Sequence, residues 1–274
     1  LPIHKKTKRG FWPILGRIME PFVSEIFVVG IYCGYGKPSD VQTFCTPHAK
    51  ELKSLARDGL RVEHIKRSLG FRLAAVICNA PARAFIKQIK NVNAYYGGER
   101  CCVKGDYVDK VVYDSVSERL RTDADFLSVI DDCHRIGTSP LLACKVGLIT
   151  SFPLDPLHLV YLGVMRRILN LWLKSPREVH FRLSPEAIST VNDRLKSLNA
   201  YLPREFSQRA RSITDYDTWK GTELRQFLLY TGIVVLKDVL HKRYWKHFLL
   251  LFTAICCIIR HHSFKEWVPY CKQL

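Results

Sequence analysis

The sequence predicts an α/β architecture with a helical C-terminal half, and three observations carry that prediction. Apolar runs of strand length occur at Phe11–Met19, Ile26–Tyr32 and Arg72–Cys78, alternating with helical spacing over 41–58 and 81–90. Residues 91–150 hold no sustained period and carry Gly97, Gly98, Cys101, Cys102 and an Asp- and Arg-rich piece around 114–125. From Leu154 onward the apolar pattern is helical.

The elements follow in order. Phe11–Met19 alternates loosely, and Ile26–Tyr32 is a continuous apolar run of buried-strand length. Gly34, Gly36, Pro38 and Ser39 break the chain, and Asp40 is placed to cap a helix from about Val41 to Asp58, with Phe44, His48, Leu52 and Leu55 on one face. Arg72–Cys78 reads as a third strand. Pro81–Lys90 reads as a short helix with Pro in its first turn, where the missing N–H does no harm. In the second half, His158–Leu173 presents a broad apolar face. Ser184-Pro185-Glu186 carries a cap, an early Pro and a first-turn acid. Thr218 is expected to cap a helix through Glu223, Phe227 and Tyr230, and a last helix covers about Arg243–Ile259.

The chain has 274 residues, 47% of them apolar, enough for a sizeable core. Its formal charge is +17. Such an excess points to an anionic partner, most often nucleic acid, because Lys and Arg at phosphates release counterions. Basic residues gather at Lys5–Arg9, Arg61–Arg72, Arg166-Arg167, Arg204–Arg211 and Lys237–Lys246. Leu1–Arg9 also reads as a basic arm or as a charged turn between strands. The longest apolar run, Phe248–Ile259, is too short to span a bilayer. Ten cysteines lack the spacing of a disulfide scaffold. Several sit in apolar runs as small buried hydrophobes, which suits a reducing compartment.

A set of motifs then follows in fixed order: Phe11-Trp12-Pro13-Ile14-Leu15, Val29-Gly30-Ile31-Tyr32-Cys33-Gly34, Ile77-Cys78-Asn79-Ala80-Pro81-Ala82-Arg83-Ala84-Phe85, Cys101, Gly137-Thr138-Ser139-Pro140-Leu141, Pro153-Leu154-Asp155-Pro156-Leu157-His158-Leu159 and Trp219-Lys220-Gly221-Thr222-Glu223. Together they resemble the catalytic core of CACTA (En/Spm-like) transposases and related animal transposase-derived proteins. The resemblance implies a ribonuclease-H-like mixed sheet over 1–90, a loop-rich insertion over 91–150, a helical remainder over 151–260 and an unassigned tail over 261–274. It also implies metal-dependent DNA cleavage and strand transfer, in the nucleus, by a core that works on DNA, as a homo-oligomer, and needs no membrane.

Such cores hold two Mg²⁺ ions through two Asp and one Glu, because hard cations select carboxylate oxygen. The resemblance places the first Asp just before Leu1, the second at Asn79 and the helical acid at Glu223, with Trp219 shortly before it. Asn79 brings an amide where the family has a charge, so the expected copy is a pseudoenzyme, with a domesticated DNA-binding or protein-interaction module as the alternative. Asp155 and His158 match an Asp-x-x-His element of the family. The stretch Gly98-Glu99-Arg100-Cys101 looks like a Cys-Glu-Arg-Cys zinc motif with Gly in place of the first Cys. It leaves Cys101, Cys133, His134 and His158 as candidate Zn²⁺ ligands for a site that needs four.

Overall fold

A computed structural model describes residues 9–62, 67–115, 118–127, 133–176, 178–206 and 208–259. Lys5, Lys6, Lys8 and the 261–274 tail lie outside the described residues. The architecture is mixed α/β, and the chain divides into two compact units, Leu1–Leu154 and Asp155–Leu274.

The first unit opens with a hairpin of β1 (Arg9–Gly16) and β2 (Phe27–Tyr35), paired antiparallel with Trp12 opposite Tyr32. Its inner face brings Trp12 and Tyr32 onto Phe44 of α1 (Val41–Asp58), and Trp12 also meets Phe85 of α2 (Ala80–Lys87) edge-on, ring centres 6.0 Å apart. Asp40 caps α1, accepting the Gln42 and Thr43 amides at 3.1 and 2.8 Å. The Ile26–Tyr32 run is not a buried strand: Val28 and Ile31 are 59% and 57% exposed. A two-stranded ribbon packs one face only, and here Gly30, Tyr32 and Gly34 turn inward, leaving Val29, Ile31, Cys33 and Tyr35 outward.

Arg72–Cys78 is not a strand either. The segment has no regular secondary structure; its Val76 N–H donates to Ser151 O at 2.7 Å, but it joins no sheet among the described residues. The remaining sheets are short antiparallel hairpins, β3 (Leu60–Val62) with β4 (Arg67–Leu69) and β5 (Asp106–Val108) with β6 (Lys110–Val112). Helix α2 stops at Lys87 rather than Lys90, because Gln88 takes a left-handed conformation (φ 56°) and its N–H returns to the last turn. A shared core gathers Ala49 and Leu52 of α1 and Ala84 of α2 with Phe126, Leu141, Leu148 and Phe152 from the loop-rich stretch. Of the cysteines, Cys45 is buried, Cys33 and Cys133 are exposed, and the other described ones are half-buried.

The second unit is helical. A nine-residue π-helical stretch, Leu157–Met165, runs into α3 (Arg166–Lys174). Then come α4 (Pro185–Leu198), capped by Ser184, a 3₁₀ turn at Ile213–Thr218, α5 (Gly221–Gln226), a π turn at Phe227–Thr231, α6 (Gly232–Val235) and α7 (Lys242–Ile259). Thr218 ends the 3₁₀ turn and does not cap α5; Lys220 is the capping position. Met165, Leu169, Val191, Leu224, Leu228, Val235 and Phe248 are buried together.

Candidate functional site

Asn79 lies in the first unit, at the entry to α2. Its backbone is extended (φ −68°, ψ 165°), and its Oδ1 accepts the Ala82 N–H at 3.0 Å. That is the geometry of a helix N-cap, and the amide oxygen that would face a cation is engaged by the helix.

Immediately inside that helix lies a cluster of buried charge that sequence reasoning did not single out. Arg83 and Lys87, four residues apart on α2, both reach Glu99: Arg83 Nε to Oε2 at 2.9 Å and Lys87 Nζ to Oε1 at 3.0 Å. Lys87 is fully buried, with its ammonium 5.2 Å from the Phe126 ring centre and 5.6 Å from that of Phe152. Burial holds the Lys87 ammonium below its ordinary range against the pull of Glu99. Burial alone would raise the Glu99 carboxyl, and the charges of Lys87 and Arg83 overcome it, leaving it below the usual range. Arg100 donates to the carbonyls of Ile149, at 2.8 Å, and Phe152. The Glu-Arg pair of the zinc-like motif is therefore an anchor of this unit's core. The signal that could have found it is the i, i+4 spacing of Arg83 and Lys87 on an otherwise apolar face.

The Gly98–Cys101 turn is tight: a Cβ built on Gly98 would stand 3.5 Å from Cys101 Sγ. With Gly98, no three His, Cys, Asp or Glu side chains among the described residues are arranged to hold a metal ion, and His158 belongs to the other unit. His134 is buried, its Nδ1 2.7 Å from Tyr96 O, and Cys133 is exposed.

In the second unit, two sequence motifs come together. Leu157 and Leu162 of the π stretch pack against Gly221, where a Cβ would overlap Leu157 Cδ1. Arg166 Nη2 donates to Trp219 O at 2.7 Å. The Asp-x-x-His element thus adjoins the Trp-Lys-Gly-Thr-Glu element. Asp155 accepts the Leu157 N–H at 2.8 Å and holds His158 through Nδ1. Burial raises the Asp155 carboxyl, and the His158 and Leu157 donors outweigh it, so it sits below its ordinary range.

No family model, curated protein or solved structure matches this chain. Its chemistry rests on its own geometry.

Glu223 is 7% exposed and surrounded by donors. Arg211 binds it in a fork, Nε to Oε1 at 2.7 Å and Nη2 to Oε2 at 3.2 Å, and the Lys220 N–H donates to Oε2 at 2.7 Å. Gln208, with its amide turned to donate, adds a contact at 2.9 Å to Oε2. Both oxygens of this carboxylate are engaged by charge-assisted or backbone donors, and its charge is offset by the guanidinium. In this arrangement Asn79 Oδ1 caps α2, and the Glu223 carboxylate is paired with Arg211. A groove of about 390 Å³ in the first unit, between Ile14, Tyr32 and Phe44, has ligand-pocket size, but its one carboxylate, Asp40, is the α1 cap.

Proposed function

We propose that this chain is a transposase-derived core, of ribonuclease-H-like ancestry, that binds duplex DNA through its phosphates and does not cut it. The observation that carries the reading is Glu223: the acid that the motif order assigns to metal is buried against Arg211 and the Lys220 amide. Asn79 supports it from the first unit, since its side chain is a helix cap without charge. The net charge of +17 supports the partner. So does the surface of the second unit, where Arg204, Arg209, Lys237, Lys242, Arg243 and Lys246 are exposed and form no ion pair among the described residues. Scattered cations of this kind contact backbone without reading bases.

The test combines binding with cleavage. Fluorescence anisotropy on a duplex should give an affinity that falls steeply with salt, with a log–log slope of about −0.9 for each phosphate neutralised. Supercoiled plasmid should stay intact in Mg²⁺ or Mn²⁺, for the native chain and for Asn79→Asp alike, because Asp at 79 leaves Arg211 on Glu223. Metal-dependent nicking by Asn79→Asp would show that Glu223 is available after all. The apolar outward face of the β1–β2 hairpin supports a second reading, a protein-interaction module. Absence of duplex binding at low salt would favour it.

A further inference from the structure

Beside Glu223, a cavity of about 10 Å³ opens in the second unit, with Leu195, Arg209, Arg211, Trp219, Glu223 and Gln226 in its wall. Two of these carry buried donors that meet no acceptor among the described residues: Trp219 Nε1, on a residue 4% exposed, and Gln226 Nε2, on one 6% exposed. An unmet buried donor costs about 1–3 kcal/mol, and two on one cavity call for a common acceptor. The Glu223 carboxylate in the same wall is already taken by Arg211 and the Lys220 amide. Arg211 balances its charge. Arg209 is exposed and has no hydrogen-bond or ion-pair partner among the described residues, so the wall carries a surplus of positive charge and of N–H donors. The space admits a single oxygen-sized atom.

We infer that this cavity receives one anionic oxygen of a phosphate group, with Trp219 Nε1 and Gln226 Nε2 donating to it and Arg209 at the remaining oxygens. The site deepens the DNA-binding reading, on which its duplex arm rests, and it needs no metal. The phosphate comes either from free inorganic phosphate or from a nucleic-acid backbone.

The experiment follows thermal unfolding of the whole chain against inorganic phosphate, with chloride at matched ionic strength as the reference. The native chain should be stabilised saturably by phosphate and not by chloride. Trp219→Phe keeps an aromatic ring against Phe227, whose centre lies 5.5 Å away, and removes the N–H together with the five-membered ring that carries it. The smaller ring lowers its stability without phosphate, so each variant is read against its own phosphate-free unfolding, and the apparent phosphate Kd of Trp219→Phe should rise about tenfold or more, the worth of one hydrogen bond to a charged group. Arg209→Ala should weaken phosphate in the same direction. No saturable response, or an equal response in Trp219→Phe, overturns the site. Duplex binding by the same variants then separates the sources. A parallel loss of duplex affinity assigns the backbone, and unchanged duplex affinity with weakened phosphate assigns the free anion. If the native chain holds phosphate in a Trp219-dependent way but no duplex, the site stands and the DNA-binding reading alone falls.

Discussion

The two units handle buried charge differently. In the first, Lys87 is wholly buried and Arg83 and Glu99 nearly so, and the Lys87 ammonium lies near the rings of Phe126 and Phe152. In the second, the core of Met165, Leu169, Leu224 and Leu228 is apolar, and the charge, Glu223 with Arg211, is kept to its margin. A helical unit satisfies its backbone internally and needs side chains only to fill space. The first unit is largely loops between two helices, and its charged side chains also hold loop carbonyls, as Arg100 holds Ile149. The same residue class is therefore structural in one unit and marginal in the other.

The sharpest way to break this contrast is to remove the shared acid. Glu99→Gln leaves Arg83 and Lys87 buried without a counter-charge and should destabilise the first unit by about 3–5 kcal/mol. Lys87→Met leaves Glu99 with Arg83 at 2.9 Å and puts an apolar chain between Phe126 and Phe152, so its cost should be about 1 kcal/mol or less, of either sign. Hydrogen exchange of the α2 amides, which reports on this unit alone, measures both. The acid limb adds a sign. Glu99 is held below its ordinary value near 4.5, so its contribution is full above that pH and is lost as pH falls through the lowered native value. The gap between native and Glu99→Gln should close over that range. Equal losses from the two variants would mean that Lys87 matters as much as Glu99.

A smaller effect tests the second unit. Gly221 is where α5 meets the π stretch, and a methyl there runs into Leu157. Gly221→Ala gains helix propensity on an exposed helix, but here overpacking should prevail and cost about 1–3 kcal/mol. Urea unfolding followed on the α3 and α5 amides checks it. No loss would mean that Leu157 can move aside.

How far this was legible in the sequence follows the same division. Helix α1 with its Asp40 cap, α4 with Ser184 and α7 can all be read from spacing and caps, because those signals are local. The Arg72–Cys78 strand and the burial of Ile26–Tyr32 were not legible, because an apolar run does not say whether a neighbouring strand exists to cover it. Thr218 was read as a cap since it is a good capping residue; the helix starts two residues later, where Glu223 reaches back to the Lys220 amide and fixes the first turn. For the candidate residues, the motif order named positions but not their surroundings. Motif order pointed to Asn79 and Glu223, but Arg211, twelve residues before Glu223 and outside every motif, decides what Glu223 does.

Asn79 gives the finest test. If it is a helix cap, Asn79→Ala should cost about 1 kcal/mol, the usual worth of a capping side chain, and should act on α2. Asn79→Asp should cost almost nothing, since a carboxylate accepts the Ala82 N–H as well and favours the positive end of the helix. The pair thus separates the cap from a metal ligand by stability alone, with no activity needed. Added Mg²⁺ should leave the unfolding of Asn79→Asp where it was. A saturable Mg²⁺-dependent stabilisation of Asn79→Asp, absent from the native chain, would instead mean that the helix entry still offers a cation site and that the missing charge at 79 was its only defect.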